Sequence, residues 1–246
     1  MATQGFARER SLDARRVRQI RRALTRWGDA HFQTYPWRRE LPLWQGLVAE
    51  VLLQRTRAAQ VVPVFDELMR RYPSARRFAK ASAHDITKLV APLGLHWRAA
   101  LLHRLALRIG DLGGRLPRSQ VELEELPGVG PYAAAAALSL HGGVRATIID
   151  SNVVRVLARL TGRDYDGETR RQGWVRDLAE TLTPEHDFHR FNYALLDLSM
   201  LVCKPSTPRC DRCPLGAMCV TGRSVIGMPR TRPNAPPLRR AVAPSR

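Results

Sequence analysis

Apolar residues recur along the chain at helical spacing. Residues 13–29 place Val17, Ile20, Leu24 and Trp27 three and four positions apart, which lines them along one face of an α-helix. Residues 44–55 repeat the pattern with Leu47, Val48, Val51 and Leu52, and residues 97–111 with Leu101, Leu105, Leu107 and Ile109. Residues 187–202 do so with Phe188, Phe191, Leu195, Leu198 and Leu201. Apolar runs elsewhere, such as Ala146 to Ile149, are short, and no stretch alternates with the period of a strand. The pattern predicts an all-α protein of about ten short helices joined by loops of ordinary length. Residues 1–10 are polar, and residues 223–246 hold five Pro among a cluster of Arg. Both have little to bury, which predicts a flexible N-terminus and a disordered basic, Pro-rich tail.

Composition narrows the class of partner. A length of 246 residues supports one domain or two small lobes that share an interface. Forty Lys plus Arg against twenty-two Asp plus Glu give a formal charge of +18, which favours a polyanion, nucleic acid before an acidic membrane. No apolar run approaches the roughly 18 residues that span a bilayer, and the first ten residues lack the apolar segment of a secretory signal. A cytoplasmic protein with no membrane partner is expected. The four cysteines all fall between Cys203 and Cys219; in a reducing compartment such density reads as a metal site.

Three motifs carry candidate chemistry. Cys203, Cys210, Cys213 and Cys219 are separated by six, two and five residues. Four thiolates close around zinc or around an iron–sulfur cluster, and spacing alone leaves both open. Leu126-Pro127-Gly128-Val129-Gly130 lies between two helical stretches, with Pro131 placed for a first helical turn. Its glycines allow a tight turn with positive φ, and the turn leaves backbone N–H groups pointing outward at a helix start, a phosphate site that needs no particular base sequence. Asp150 precedes the helix that begins near Val153. It reads as an N-cap worth roughly 1 kcal/mol and equally as a carboxylate positioned for chemistry on a nucleotide.

Taken together, the hairpin Leu126 to Gly130, the segment Asp150-Ser-Asn-Val-Val-Arg155 and the 6–2–5 cysteine spacing resemble the helix-hairpin-helix base-excision DNA glycosylases, in the endonuclease III and MutY branch. The resemblance covers about residues 15–220. It implies a two-lobed all-α fold with a C-terminal 4Fe-4S cluster held by the four cysteines. One lobe is expected at residues 38–142, the other from residues 11–37 together with 143–222, and the active site in the cleft between them. It further implies a monomer acting on double-stranded DNA, with the target base flipped into the cleft. Asp150 matches the catalytic carboxylate, which would stabilise an oxocarbenium-like transition state and orient water. Where bifunctional members carry a catalytic lysine, this chain has Tyr132. A phenol forms no Schiff base, so a monofunctional glycosylase without lyase chemistry is expected.

Two substrates compete within the resemblance. Tyr35-Pro-Trp37-Arg38, Glu50-Val-Leu-Leu-Gln54 and Tyr132 are similar to adenine glycosylases, in which the glutamate matching Glu50 protonates the base. Against adenine stand the lack of a counterpart to the 8-oxoguanine-reading C-terminal domain, Gly94-Leu95-His96-Trp97-Arg98 in place of Gly-Leu-Gly-Tyr-Tyr, and Gln54-Arg55-Thr56 in place of Gln-Gln-Thr. These features are more similar to the thymine mismatch glycosylases, so thymine or uracil opposite guanine is the favoured substrate and adenine the alternative. A catalytically inactive iron–sulfur DNA-binding protein is a further alternative. Gln54, Arg55 and Thr56 are candidates to fill the vacated stack or contact the orphaned guanine. His96 and Trp97 would wedge beside the flipped base, although Trp97 would serve equally as a core residue. Leu126, Gly128, Val129 and Gly130 would grip phosphates.

Overall fold

The computed structural model of the chain describes residues 12–94 and 97–227. Twelve α-helices follow one another with no β-strand among the described residues: α1 Ala14–His31, α2 Leu43–Leu53, α3 Ala58–Arg71, α4 Ala75–Phe78, α5 Ala83–Val90, α6 Trp97–Asp111, α7 Gln120–Glu124, α8 Pro131–Ala137, α9 Ser151–Thr161, α10 Gly173–Leu182, α11 Phe188–Leu201 and α12 Val220–Ile226. The helices at 14–31, 43–53, 97–111 and 188–201 are those that the apolar spacing predicts. Residues 1–11 and 228–246, where the flexible N-terminus and most of the basic tail were expected, lie outside the described residues, as does His96. α12 extends to Ile226, past the expected boundary at 222, with Val220 seated against Gly162 and Ile226 against Gly216.

The helices enclose two apolar cores. The first is built from residues between Trp37 and Ile148, including Leu47, Val51, Phe65, Leu102, Leu105 and the alanines 133–137. The second joins Val17, Ile20 and Leu24 of α1 to Val153–Leu160 of α9, Val175–Leu182 of α10 and Phe191–Val202 of α11. The chain therefore starts in one core, crosses near Trp37, fills the other and crosses back at residues 148–153. Leu196 packs against both.

Small residues set the closest helix approaches. Ala133 to Ala137 are all buried, and their short side chains let α8 lie against α2. Gly28 of α1 faces Ala194 of α11 so closely that a Cβ there would stand 2.4 Å from the Ala194 Cβ. α8 continues through a single wider π-turn, Leu138–Gly142, and stops at Gly143, whose φ of +64° ends the helix.

Candidate active site and nucleic-acid interface

Asp150 stands on the second crossover, between Ile148 of one core and Val153 of the other. It is the N-cap of α9. One oxygen accepts from Asn152 N (2.9 Å) and Val153 N (2.7 Å), the other from Asn152 Nδ2 (2.7 Å). Both readings of this residue are therefore compatible: the cap fixes the carboxylate, and the crossover sets it between the lobes. Asn152 Oδ1 in turn accepts from Arg155 Nη1 (3.0 Å), and Arg155 donates through Nε to the Cys203 carbonyl (2.8 Å) and through Nη2 to the Ser199 carbonyl (2.9 Å).

Glu50 and Tyr132 lie close enough to Asp150 to feel its charge. Glu50 is 4 % exposed. Burial pushes its carboxyl up to about 7; the Asp150 charge adds to the rise and Arg38 opposes it. Tyr132, in the first turn of α8, is partly buried, and burial together with the Glu50 and Asp150 charges raises its phenol well above the ordinary value. Arg38 is fixed by a bidentate ion pair with Asp197 of α11 (2.7 and 2.8 Å), and its guanidinium lies over the rings of Tyr193 (4.7 Å), Tyr35 and Phe32 (both 5.4 Å). Tyr193 is raised by the same burial and by Glu50.

A groove of about 1100 Å³ opens beside this cluster, lined among others by Gln54, Gly130, Tyr132, Ile149 and the exposed Arg170 and Arg176. The hairpin forms its edge. Gly128 takes φ +79°, but Gly130 is extended (φ −99°, ψ 178°) and caps α8, so only one of the two glycines needs the left-handed region. No atom approaches within 4 Å of a Cβ built on Gly130, which leaves its face open. The side chains of Leu126 and Val129 are buried in the first core, and the Val129 N–H donates to the Leu126 carbonyl (3.1 Å).

The remaining candidates fall around the same edge. Gln54 donates to the Gly128 carbonyl (3.0 Å), tying the α2–α3 turn to the hairpin. Arg55 is exposed with φ +55°, and Thr56 donates to the Gln54 carbonyl (3.3 Å). Trp97 is 45 % exposed rather than a core residue.

All four cysteines line one cavity, walled by Val156, Leu160, Leu198, Val202 and Leu215, and none is in a disulfide. Arg159 donates to Cys203 Sγ (3.5 Å) and to the carbonyls of Lys204 and Pro205 (both 2.7 Å). Burial pushes the Cys213 thiol up to about 12. Among the described residues no group of three or more His, Cys, Asp or Glu side chains is arranged to hold a metal ion.

Sequence reading missed Asp197 and Tyr193 as site residues, and treated Arg38 only as part of a motif. Asp197 had a signal: an acid inside the apolar stretch of α11 is 0 % exposed, and a buried acid requires a partner.

With this geometry in hand, comparison with known proteins is informative. The chain is 36% identical to a thymine-DNA glycosylase of Aeropyrum pernix over 85% of its length and 96% of that protein's. It is 35% identical to a thymine/uracil-DNA glycosylase of Methanothermobacter thermautotrophicus, over 80% of this chain and 89% of the relative. Its fold superposes on the structure of a thermostable thymine-DNA glycosylase with a TM-score of 0.79 at 31% identity, over 85% of this chain and 98% of that one. Residues 48–176, which hold Glu50, the hairpin, Tyr132 and Asp150, match the HhH-GPD superfamily base excision DNA repair protein description, and the chain belongs to that superfamily.

Proposed function

We propose that this chain is a monofunctional DNA glycosylase that flips thymine or uracil out of a G·T or G·U mismatch in double-stranded DNA and hydrolyses its bond to the sugar, acting as a monomer. The observation that carries this reading is the pairing, at the crossover between two cores, of the capped Asp150 carboxylate with a buried Glu50 whose carboxyl is pushed up to about 7. Two acids in environments that separate their behaviour can divide acid and charge-stabilising roles. The thymine and thymine/uracil glycosylase relatives favour a pyrimidine substrate.

A flipped nucleotide entering the groove meets Tyr132 and Asp150 together. As the bond to the base stretches, positive charge develops on the sugar, and Asp150 stabilises it. Water adds its oxygen to C1′ and passes its proton to the Asp150 carboxylate. The pyrimidine departs as an anion, and Glu50, whose burial holds its proton to higher pH than a free carboxyl, supplies a proton to it. The Tyr132 phenol, kept neutral by burial, donates to a base carbonyl. With a phenol where a lyase needs an amine, the product is an intact strand with an abasic site.

Cys203, Cys210, Cys213 and Cys219 would hold a 4Fe-4S cluster. The four cysteines line one cavity with apolar walls, as the thiolates around such a cluster would, and Arg159 would offset its charge. When bound, it would cross-link the Pro-rich loop and supply no step of the hydrolysis. Exposed Arg170 and Arg176, and the open face of Gly130, would take the phosphates. Among the described residues no helix is long and apolar enough to cross a membrane.

The test uses duplexes with single G·T, G·U, A·G and A·8-oxoguanine pairs, incubated with the protein and then treated with alkali. Strand breaks only after alkali, in the T or U strand, are expected. Asp150→Asn keeps a capping oxygen, so its fold and DNA affinity should stay near wild type while base release falls at least about 100-fold. A fully active Asp150→Asn enzyme would remove the catalytic assignment, and cleavage confined to the A strand would replace the substrate.

A further inference from the structure

Arg98, the second residue of α6, is 0 % exposed. Burial is the one influence on its guanidinium, and no carboxylate compensates it. Its Nη2 donates to the Gln54 carbonyl and to Thr56 Oγ1 (2.9 Å), while Nε and Nη1 have no hydrogen-bond partner among the described residues. A buried, unpaired cation with two idle donors is a liability to stability. The turn it holds carries a strained residue as well. Arg55, inside the turn that Arg98 holds, takes φ +55°, a region costing a non-glycine residue about 1 kcal/mol or more.

What this arrangement accomplishes is mechanical. The guanidinium grips the α2–α3 turn at Gln54 and Thr56 and sits 5.9 Å from the ring of half-exposed Trp97. Gln54 reaches on to the Gly128 carbonyl of the hairpin. One buried side chain thus ties together the turn, the exposed indole and the phosphate-facing hairpin.

We infer that Arg98 is a positioning residue that sets discrimination between mismatched and matched duplex, by locking the Gln54–Thr56 turn and Trp97 into one surface that probes the base pair. This rests on the mismatch-glycosylase reading above. The side chain itself touches no DNA, so its effect falls on selectivity before chemistry.

The test is Arg98→Met, which keeps length and removes charge. Its thermal midpoint should equal or exceed that of wild type, because an uncompensated buried cation is gone. Its ratio of affinities for a G·T over a G·C duplex should fall at least tenfold, while base release under saturating single-turnover conditions falls less than threefold. Thr56→Val should shift the ratio the same way by less, and add nothing in the Arg98→Met background. A lower midpoint with an intact ratio would make Arg98 a structural residue and overturn the inference, as would additive effects of the two substitutions. A wild-type protein inert on every mismatch overturns the functional reading as well, whereas an active wild type with an unaltered variant ratio overturns this inference alone.

Discussion

Glu50 links the fold to pH. Its carboxyl is raised from 4.5 to about 7 by burial first, with the Asp150 charge assisting against Arg38. The native state therefore binds the Glu50 proton more tightly than the unfolded chain does. That contribution is complete below about pH 4.5, declines as pH rises toward 7, and is lost above it, a change on the order of 3 kcal/mol. Glu50→Gln, neutral at every pH, should match wild type in thermal melts near pH 4.5 and be the more stable protein at pH 8. Its base release should be roughly 100-fold slower or worse, without the decline above pH 7 expected of wild type. A variant that keeps this alkaline decline would assign the proton to another group. The proposed role of Glu50 is legible in the sequence only through resemblance, because nothing in a helix run of Ala49-Glu50-Val51 reveals that the side chain is buried beside Asp150 and Arg38. Arg38 and Asp197 were less legible still: they meet from positions 159 residues apart, and only the fold brings them together.

At the scale of elements, helical periodicity located the helices at 14–31, 43–53, 97–111 and 188–201, although Leu107, counted on an apolar face, is exposed, and it did not show how near two helices come. α1 and α11 show why. A Cβ on Gly28 would stand 2.4 Å from the Cβ and 3.1 Å from the Cα of Ala194, so Gly28→Ala must separate the helices. Overpacking of this kind costs about 1–3 kcal/mol. Ala194 adjoins Tyr193, whose ring lies beneath Arg38, so the displacement reaches the catalytic cluster. Gly28→Ala should lower the melting temperature and also slow base release at a temperature where the variant is folded. Gly173→Ala, in a helix position with nothing within 4 Å, should do neither. Equal behaviour of the two variants would show that the Gly28 approach carries no constraint. The hairpin illustrates the same limit. Its glycines and Pro131 announced a turn feeding a helix, yet the inward orientation of Leu126 and Val129 depends on α8 packing against α2, which the local pattern does not contain.

For the whole molecule, the formal charge of +18 pointed to a polyanion without saying where it lies. Many basic residues turn out to be spent on the fold: Arg145 on the carbonyls of Thr183 and Pro184, Arg155 on those of Ser199 and Cys203, Arg21 on Thr181 and Leu182. Exposed Arg170 and Arg176 differ, since they line the groove from the second lobe while Gln54 and Gly130 line it from the first. If a duplex lies across both lobes there, each arginine displaces about one counterion. Arg170→Ala and Arg176→Ala should then each flatten the plot of log affinity against log salt by about one unit, with equal weakening on mismatched and matched DNA. Base release at saturating enzyme should be unchanged, because phosphate contacts position the strand and leave the base to Asp150, Glu50 and Tyr132. The salt slope separates this from general charge loss: substituting Arg108, which pairs with Asp111 on the first lobe, should leave it nearly unaltered. Identical slopes for all three variants would move the duplex away from the groove, and with it the crossover that places Asp150 beside the flipped nucleotide.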